Sequence, residues 1–380
     1  MTPRSCSFRT ALPAAATTIA LLMTACGGDD GGGSGGLATG DDYSIEAALA
    51  ELPARDDDAD GGLMISTADL AAASELAGVE RPQTLDADAV IEWLGPLTGP
   101  TSGAETPAPV FVPMADMFNL PYLSKVDEFA AELGWSVFDV EAFVEESRPP
   151  YRVAVVAGDF DESPLADDLE DLGDGVLSAG TGADHSSDLS AITAARPLGT
   201  PVRLAYEDGL VAASSATPAI EAWLAGPATS RADDERLTSI AAVLDDADAV
   251  AAVLVVEPSF AAGGGELSPD AGDELVPLLP SDPFDAVGIG WSVDDDQSAI
   301  VTLAYHFASD DAATASLTAF EAQYEGTSLV TGAALSELVT VRSTDTAGPV
   351  AIVTLEVAED RTPAVVFEML LRRDLPFIHA

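Results

Sequence analysis

An acidic run at residues 56–61 could bind a metal ion. Asp56, Asp58 and Asp60 alternate along Asp-Asp-Asp-Ala-Asp-Gly, which fits the D-x-D-x-D-G opening of a calcium-binding loop. The twelfth position of that loop is Thr67, where a complete site has a bidentate Glu. Two interpretations stay open: a calcium site at Asp56, Asp58 and Asp60, or a solvated acidic loop.

The candidate general bases are His185, His306 and His379. Outside the Gly-Ser-Gly of a glycine-rich linker, no G-x-S-x-G nucleophile motif is present. His185 lies in an acidic loop without a second His or Cys nearby, which is a poor pattern for a transition metal. We therefore expect no enzymatic activity and assign no catalytic residue.

An apolar segment at residues 110–123 is the candidate for ligand binding. It contains Met114, Met117, Phe118 and Tyr122, and prolines interrupt any helix there. Methionine-rich irregular surfaces suit apolar ligands or partners. The alternative is that the segment packs into the core.

The pattern of elements predicts an α+β fold. A mainly helical portion at residues 43–148 precedes two units, at residues 151–224 and 299–371, that each read as strand, helix, two strands and helix. Both units end in a helix opened by a Thr-Pro pair, at Thr217 and Thr362. We predict mixed sheets with helices on one face, built from two βαββα units that are either a duplication or a coincidence of common order.

Two of the predicted helices depend on local signals alone. Ser136 and Asp139 form a capping-box pattern that predicts a helix reaching Ser147. Residues 163–172 are predicted to be the helix of the first unit.

The first 25 residues have the pattern of a secretory signal. Arg4 and Arg9 precede an uncharged stretch of 16 residues, which is short for a membrane span of ~20 apolar residues. The stretch ends in Leu-Met-Thr-Ala before Cys26, which resembles the lipobox of bacterial lipoproteins. That resemblance implies cleavage before Cys26 and a diacylglycerol on its sulfur, often with acylation of the new amino group by a fatty acid such as palmitate.

The regions that follow divide the chain. Residues 26–42 are rich in Gly and Asp and predict a flexible tether. Residues 43–257 are predicted to be an N-terminal domain and residues 284–380 a C-terminal domain, with a linker or long loop at 258–283.

The charge balance excludes one class of partner. The chain has 65 acidic and 15 basic residues, a net charge of −50, with a single Lys and scattered Arg. Nucleic acid is therefore excluded, because phosphate binding needs clustered basic residues. We expect an acidic lipoprotein held on the outer face of the bacterial cell membrane by its lipid, which binds a small ligand or another envelope protein. The alternatives are a solute-binding receptor of an uptake system and, less favoured, an envelope hydrolase.

Overall fold

The computed structural model describes residues 37–55, 62–84, 86–99, 107–118, 120–160, 163–257, 260 and 278–380. The strands are β1 Leu63–Asp69, β2 Val140–Arg148, β3 Tyr151–Gly158, β4 Glu170–Gly173, β5 Val176–Ala179, β6 Val202–Glu207, β7 Leu210–Ser214, β8 Ala251–Val256, β9 Phe284–Val293, β10 Ala299–Phe307, β11 Val339–Ala347 and β12 Val350–Val357. The helices are α1 Ile45–Ala50, α2 Leu70–Leu76, α3 Ala87–Thr98, α4 Val126–Leu133, α5 Thr217–Leu224, α6 Glu235–Asp246, α7 Asp310–Tyr324 and α8 Ala364–Leu371.

All of these strands belong to one sheet, in the order β11-β12-β10-β9-β8-β1-β2-β3-β7-β6-β5-β4. Every pairing in it is antiparallel. The α+β class is confirmed, whereas the prediction of mixed sheets was wrong. Hairpin turns join β2 to β3, β6 to β7 and β11 to β12, and a hairpin makes its strands antiparallel.

Helices cover both faces of the sheet, which corrects the prediction of helices on one face. The front face, defined by Phe143, Val156 and Trp291, packs against α2, α3, α4, α7 and α8. The back face, defined by Val144 and Val155, packs against α1, α5 and α6. Because both faces are buried, the central strands read as almost continuous apolar runs.

Two segments predicted from local signals to be helices contain no α-helix in the structure. The capping box at Ser136 and Asp139 is present, but it caps one 3-10 turn, Val137–Asp139, and β2 follows directly. Within the segment predicted as the first unit's helix, Glu170–Gly173 is a strand paired with β5. The order strand, helix, two strands and helix is therefore found at β10 to α8 but not in the first unit.

The predicted helical portion at residues 43–148 contains α1 to α4 but also supplies β1 and β2, which lie in the middle of the sheet. The predicted domains share this sheet, because β8 pairs with β9. Part of the predicted linker packs too, since Phe260 and Leu279 are buried in the front core. The predicted tether ends in packed structure: Leu37 is buried, and Gly40–Asp42 form a 3-10 turn.

The sheet has two halves with the same strand order about the β1–β8 pair. Outward from the centre, the first half runs β1, β2, β3, β7, β6, and the second runs β8, β9, β10, β12, β11. The preceding helices α1 and α6 both lie on the back face and contact each other. The Thr-Pro helices break this correspondence, because α5 packs on the back face and α8 on the front.

Candidate functional site

A pocket of about 290 Å³ lies on the front face of the first half. Its floor is formed by β2, β3, β6 and β7, and its cover by the 180–201 loop, a segment between β5 and β6 without helix or strand. Irregular loops of this length, beyond about 12–15 residues, are uncommon in compact folds and are often functional. The lining residues are Asp116, Met117, Leu133, Ser147, Pro149, Pro150, Tyr151, Arg152, His185, Ser187, Ala195, Arg196, Pro197, Leu198, Thr200, Pro201, Val202, Ala213, Ser214 and Ser215.

Two polar side chains stand next to each other in the floor. Ser147 on β2 is directly opposite Arg152 on β3, so both point to the same face. The Arg152 guanidinium lies 3.8 Å from Asp116 Oδ2 and is 39% exposed. Among the described residues, neither this guanidinium nor the Ser147 hydroxyl has a hydrogen-bond partner. Their donors are therefore available to a bound molecule.

Glu145 lies beside this pair, two residues before Ser147 on the same face of β2. It is buried, and its carboxylate accepts hydrogen bonds from the backbone N–H groups of Asp116 at 2.9 Å and Met117 at 3.0 Å. Burial raises the pKa of Glu145 to about 7, outweighing the positive charge of Arg152, which acts to lower it. Glu145 thus holds one wall of the pocket in place and is partly neutral near pH 7.

Two ion pairs anchor the 180–201 loop. Asp184 accepts hydrogen bonds from Arg203 Nε at 3.0 Å and from the Thr217 N–H and hydroxyl, both at 2.9 Å. Partial burial opposes ionisation of Asp184, but the bonds from Thr217 and Arg203 lower its pKa overall. The second anchor joins Arg196 Nε to Glu132 Oε1 of α4 at 2.5 Å.

The loop carries apolar side chains into solvent beside the pocket. Leu189, Ile192 and Leu198 are 69%, 47% and 59% exposed. Leu198 also lines the pocket. Exposed apolar groups collected in one segment next to a cavity are typical of a surface that contacts an apolar molecule.

His185 and Ser215 meet at the pocket rim, with Nδ1 and Oγ 3.0 Å apart. The carboxylate of Asp184 bonds Arg203 and Thr217, so it does not orient the imidazole. The N–H of Ala216 donates to Ser214 Oγ, and that of Thr217 donates to Asp184. The N–H groups of Ala216 and Thr217 are thus occupied, so these two donors do not serve as an oxyanion hole beside Ser215.

The structure separates the four residues predicted to bind a ligand. Met117 lines the pocket, whereas Phe118 and Tyr122 line a second cavity of about 10 Å³ in the core. Met114 packs against the front core. The packing therefore matches the alternative of a core segment for most of residues 110–123, and Met117 is the member that the pocket brings to a site.

Several predicted residues lie outside the described ranges. These are Cys26 and the calcium loop with Asp56, Asp58 and Asp60, so lipidation and calcium binding stay predictions. In the part of the chain that the structure describes, no group of three or more His, Cys, Asp and Glu side chains is placed to hold a metal ion. Within the same ranges, every helix is too short or too polar to cross a lipid bilayer.

Sequence reasoning missed Ser147 and Arg152. A signal was present, because Arg152 interrupts the apolar run Tyr-Arg-Val-Ala-Val-Val-Ala of β3. Its partner could not be found that way, since Ser147 falls in the segment predicted as a helix.

Comparisons with known proteins give no relative. No family model matches the chain. Neither the curated proteins nor the solved structures contain a significant match.

Proposed function

We propose that this protein is a non-enzymatic lipoprotein of the bacterial cell envelope that binds a small ligand in the front-face pocket. The observation that carries the binding proposal is the pocket itself: a concave site with apolar walls and two adjacent polar side chains that have no hydrogen-bond partner among the described residues. Its volume, about 290 Å³, is near the lower end of the ~300–1,000 Å³ usual for small-molecule sites. The lipobox resemblance at Cys26 supports attachment to the outer face of the membrane.

The pocket geometry supports binding rather than hydrolysis. His185 contacts Ser215, which is the observation that favours a hydrolase. Against it stand the Asp184 carboxylate, which bonds elsewhere, and the occupied N–H groups of Ala216 and Thr217. The N–H groups of Ala216 and Thr217 are therefore not available to stabilise an oxyanion at Ser215.

The pocket also supports the uptake-receptor alternative less well. Such a receptor would enclose its solute between two lobes, in a cleft that we expect to contain Trp and Arg. This pocket lies within one half of the sheet, and its lining contains Arg152 and Arg196 but no Trp.

We further infer that the two halves of the sheet arose by duplication of a helix followed by five strands. The shared strand order and the matching positions of α1 and α6 support this. The duplicated unit would then begin at α1 and α6, earlier than the units first recognised at residues 151–224 and 299–371.

Lipid anchoring is tested by cell fractionation of two cysteine variants. Cys26→Ala should move the protein from the membrane fraction to the soluble exported fraction, because the acceptor of the lipid is lost. Cys6→Ala is the matched control, since Cys6 lies in the predicted signal, and it should stay with the membrane. Membrane retention of Cys26→Ala would show that the anchor lies elsewhere.

Ligand binding is tested by calorimetry of the purified full-length protein with octan-1-ol and sodium octanoate. Ala213→Phe places a large ring in the pocket, whose floor contains Ala213, and should abolish binding of both probes. Val330→Phe adds the same bulk at an exposed position and should leave binding unchanged. The proposal would be refuted if neither these probes nor the related ones used below bind to the wild-type protein.

A further inference from the structure

We infer that the pocket binds an apolar monocarboxylate, whose carboxylate is held by Arg152 and Ser147 and whose apolar body lies under the 180–201 loop. This inference rests on the proposed function, since it names the ligand class of the same pocket.

Arg152 is the available cation of the pocket. The other arginine in the lining, Arg196, is committed to Glu132. Arg152 lies 3.8 Å from Asp116, beyond hydrogen-bond distance, and keeps its planar set of N–H donors. A guanidinium of this kind binds a carboxylate through two parallel hydrogen bonds, and the adjacent Ser147 hydroxyl can donate a third.

Comparison of the two halves shows that this polar pair is not needed for the sheet. When β3 is aligned with residues 300–307 of β10, Arg152 corresponds to Val301. Its neighbour Ser147 then corresponds to Trp291, which is directly opposite Val301. Both residues of the second half are fully buried. Polar residues at positions that the same architecture fills with apolar ones indicate a functional requirement.

The same alignment explains the space above the pair. The second half has the Trp291 indole where the first half has Ser147. It also has Val353 where the first half has Ala213, if β7 is aligned with residues 350–354 of β12. Smaller side chains in the floor leave the volume that the second half fills with its own core.

The walls of the pocket select an apolar body. Met117, Leu133, Pro197 and Leu198 line it together with Val202. Burial of a ligand's methylene groups against such walls contributes about 0.8 kcal/mol each.

The pocket is better suited to a ligand with one negative charge than to a ligand with two. Arg152 is the one lining arginine without a close ion pair, in a chain with a net charge of −50. A dianionic phosphate would bring a second charge, and the other lining arginine, Arg196, is already paired with Glu132. The geometry therefore favours a carboxylate over a phosphate monoester.

The test compares four probes of equal chain length by calorimetry: octanoate, octan-1-ol, octylammonium and octyl phosphate. Wild-type protein should bind octanoate at least about tenfold more tightly than each of the others, because charge-assisted hydrogen bonds are stronger than neutral ones. Arg152→Gln should remove this preference, and Ser147→Ala should reduce octanoate affinity several-fold. Arg372→Gln is the matched control, since Arg372 also has a long ion pair, 3.9 Å from Glu368, and lies outside the pocket.

The outcomes separate the two proposals. Equal binding of octanoate and octan-1-ol, both lost in Ala213→Phe, would overturn the carboxylate inference and leave the ligand-binding pocket standing. Tighter binding of octyl phosphate than octanoate would also overturn it. Failure of all four probes to bind would refute the proposed function itself. Melting curves of each variant confirm that the loss of binding is not a loss of folding.

Discussion

The two halves of the sheet share a strand order but differ in what covers their front faces. In the second half, α7 crosses β10, β12 and β11 as a 15-residue helix. In the first half, the corresponding strands β3, β7 and β6 lie under the irregular 180–201 loop. α7 packs directly on the buried core of its strands, whereas the loop leaves a pocket over the strands beneath it. In the second half, a cavity of about 270 Å³ lies away from α7, at the ends of β10 and β12. The covering segment and the smaller side chains of the floor together determine where this pocket forms.

The side chains on the front face also differ between the two halves. Under α7, Tyr305 and Phe320 stack with ring centroids 4.1 Å apart, and Phe284 and Phe307 pack around them. Under the loop, the floor contains alanine, serine and arginine. An aromatic core thus fills the second half under α7, whereas the first half keeps a pocket under its loop.

The largest expected effect is on stability, from removal of the central ring under α7. Phe320→Ala should lower the free energy of unfolding by about 3–5 kcal/mol, because Phe320 is fully buried and its loss leaves a cavity. Leu198→Ala in the loop should change it by less than about 0.5 kcal/mol, since this side chain is 59% exposed. Chemical denaturation measures both, and equal losses would contradict the contrast between a closed and an open half.

The second-largest expected effect is on the pH dependence of stability, through the buried carboxyl group of Glu145. Its pKa is raised from 4.5 to about 7 in the folded protein, so its contribution favours folding at low pH and is lost as pH rises from about 4.5 to 7. Glu145→Gln should remove that dependence, changing the difference in unfolding free energy between pH 5 and pH 8 by roughly 1–3 kcal/mol relative to wild type. Denaturation at several pH values tests this.

Glu141→Gln serves as the control for Glu145→Gln. Glu141 is on the same strand but only half-buried. The Glu141→Gln variant should show the same change of unfolding free energy with pH as the wild-type protein. A Glu145→Gln profile that also parallels wild type would show that Glu145 is not the source of the dependence.

The smallest expected effect is local and concerns the loop anchor on α4. Glu132→Gln weakens the ion pair with Arg196 and should cost about 1 kcal/mol, seen as faster amide hydrogen exchange in residues 180–201 with little change in melting temperature. Glu128→Gln on the same helix breaks an exposed pair with Lys125 and should not affect the loop. Unchanged exchange in Glu132→Gln would mean that Asp184 anchors the loop alone.

Some parts of the fold could be predicted from sequence because their signals are local. The strands predicted at the starts of the two units are β3 and β10, and the Thr-Pro pairs at Thr217 and Thr362 lie at the starts of α5 and α8. The segment after Ser136 failed because its capping box satisfies only one turn. Beyond that turn, pairing with β1 and β3 on both sides outweighs helix propensity.

The site was less predictable than the fold for a related reason. Met117 could be predicted because an apolar methionine in an irregular segment is visible in the chain itself. Ser147 and Arg152 become neighbours only through the register of two strands, one of which was predicted to be a helix. Whether these two residues form a binding site also depends on the 180–201 loop that covers them. No local sequence pattern predicts where that loop lies.

The two ends of the sheet have a consequence for the proposed attachment to a membrane surface. The outermost strands, β4 and β11, lack a partner on one side among the described residues. The four residues of β4 are all exposed and include Glu170 and Asp171, whereas β11 is interrupted by a bulge between Val341 and Ser343. Short, charged or bulged edges resist strand addition. If the proposed lipid anchor concentrates copies of the protein in two dimensions, these edges should keep them from joining into a continuous intermolecular sheet.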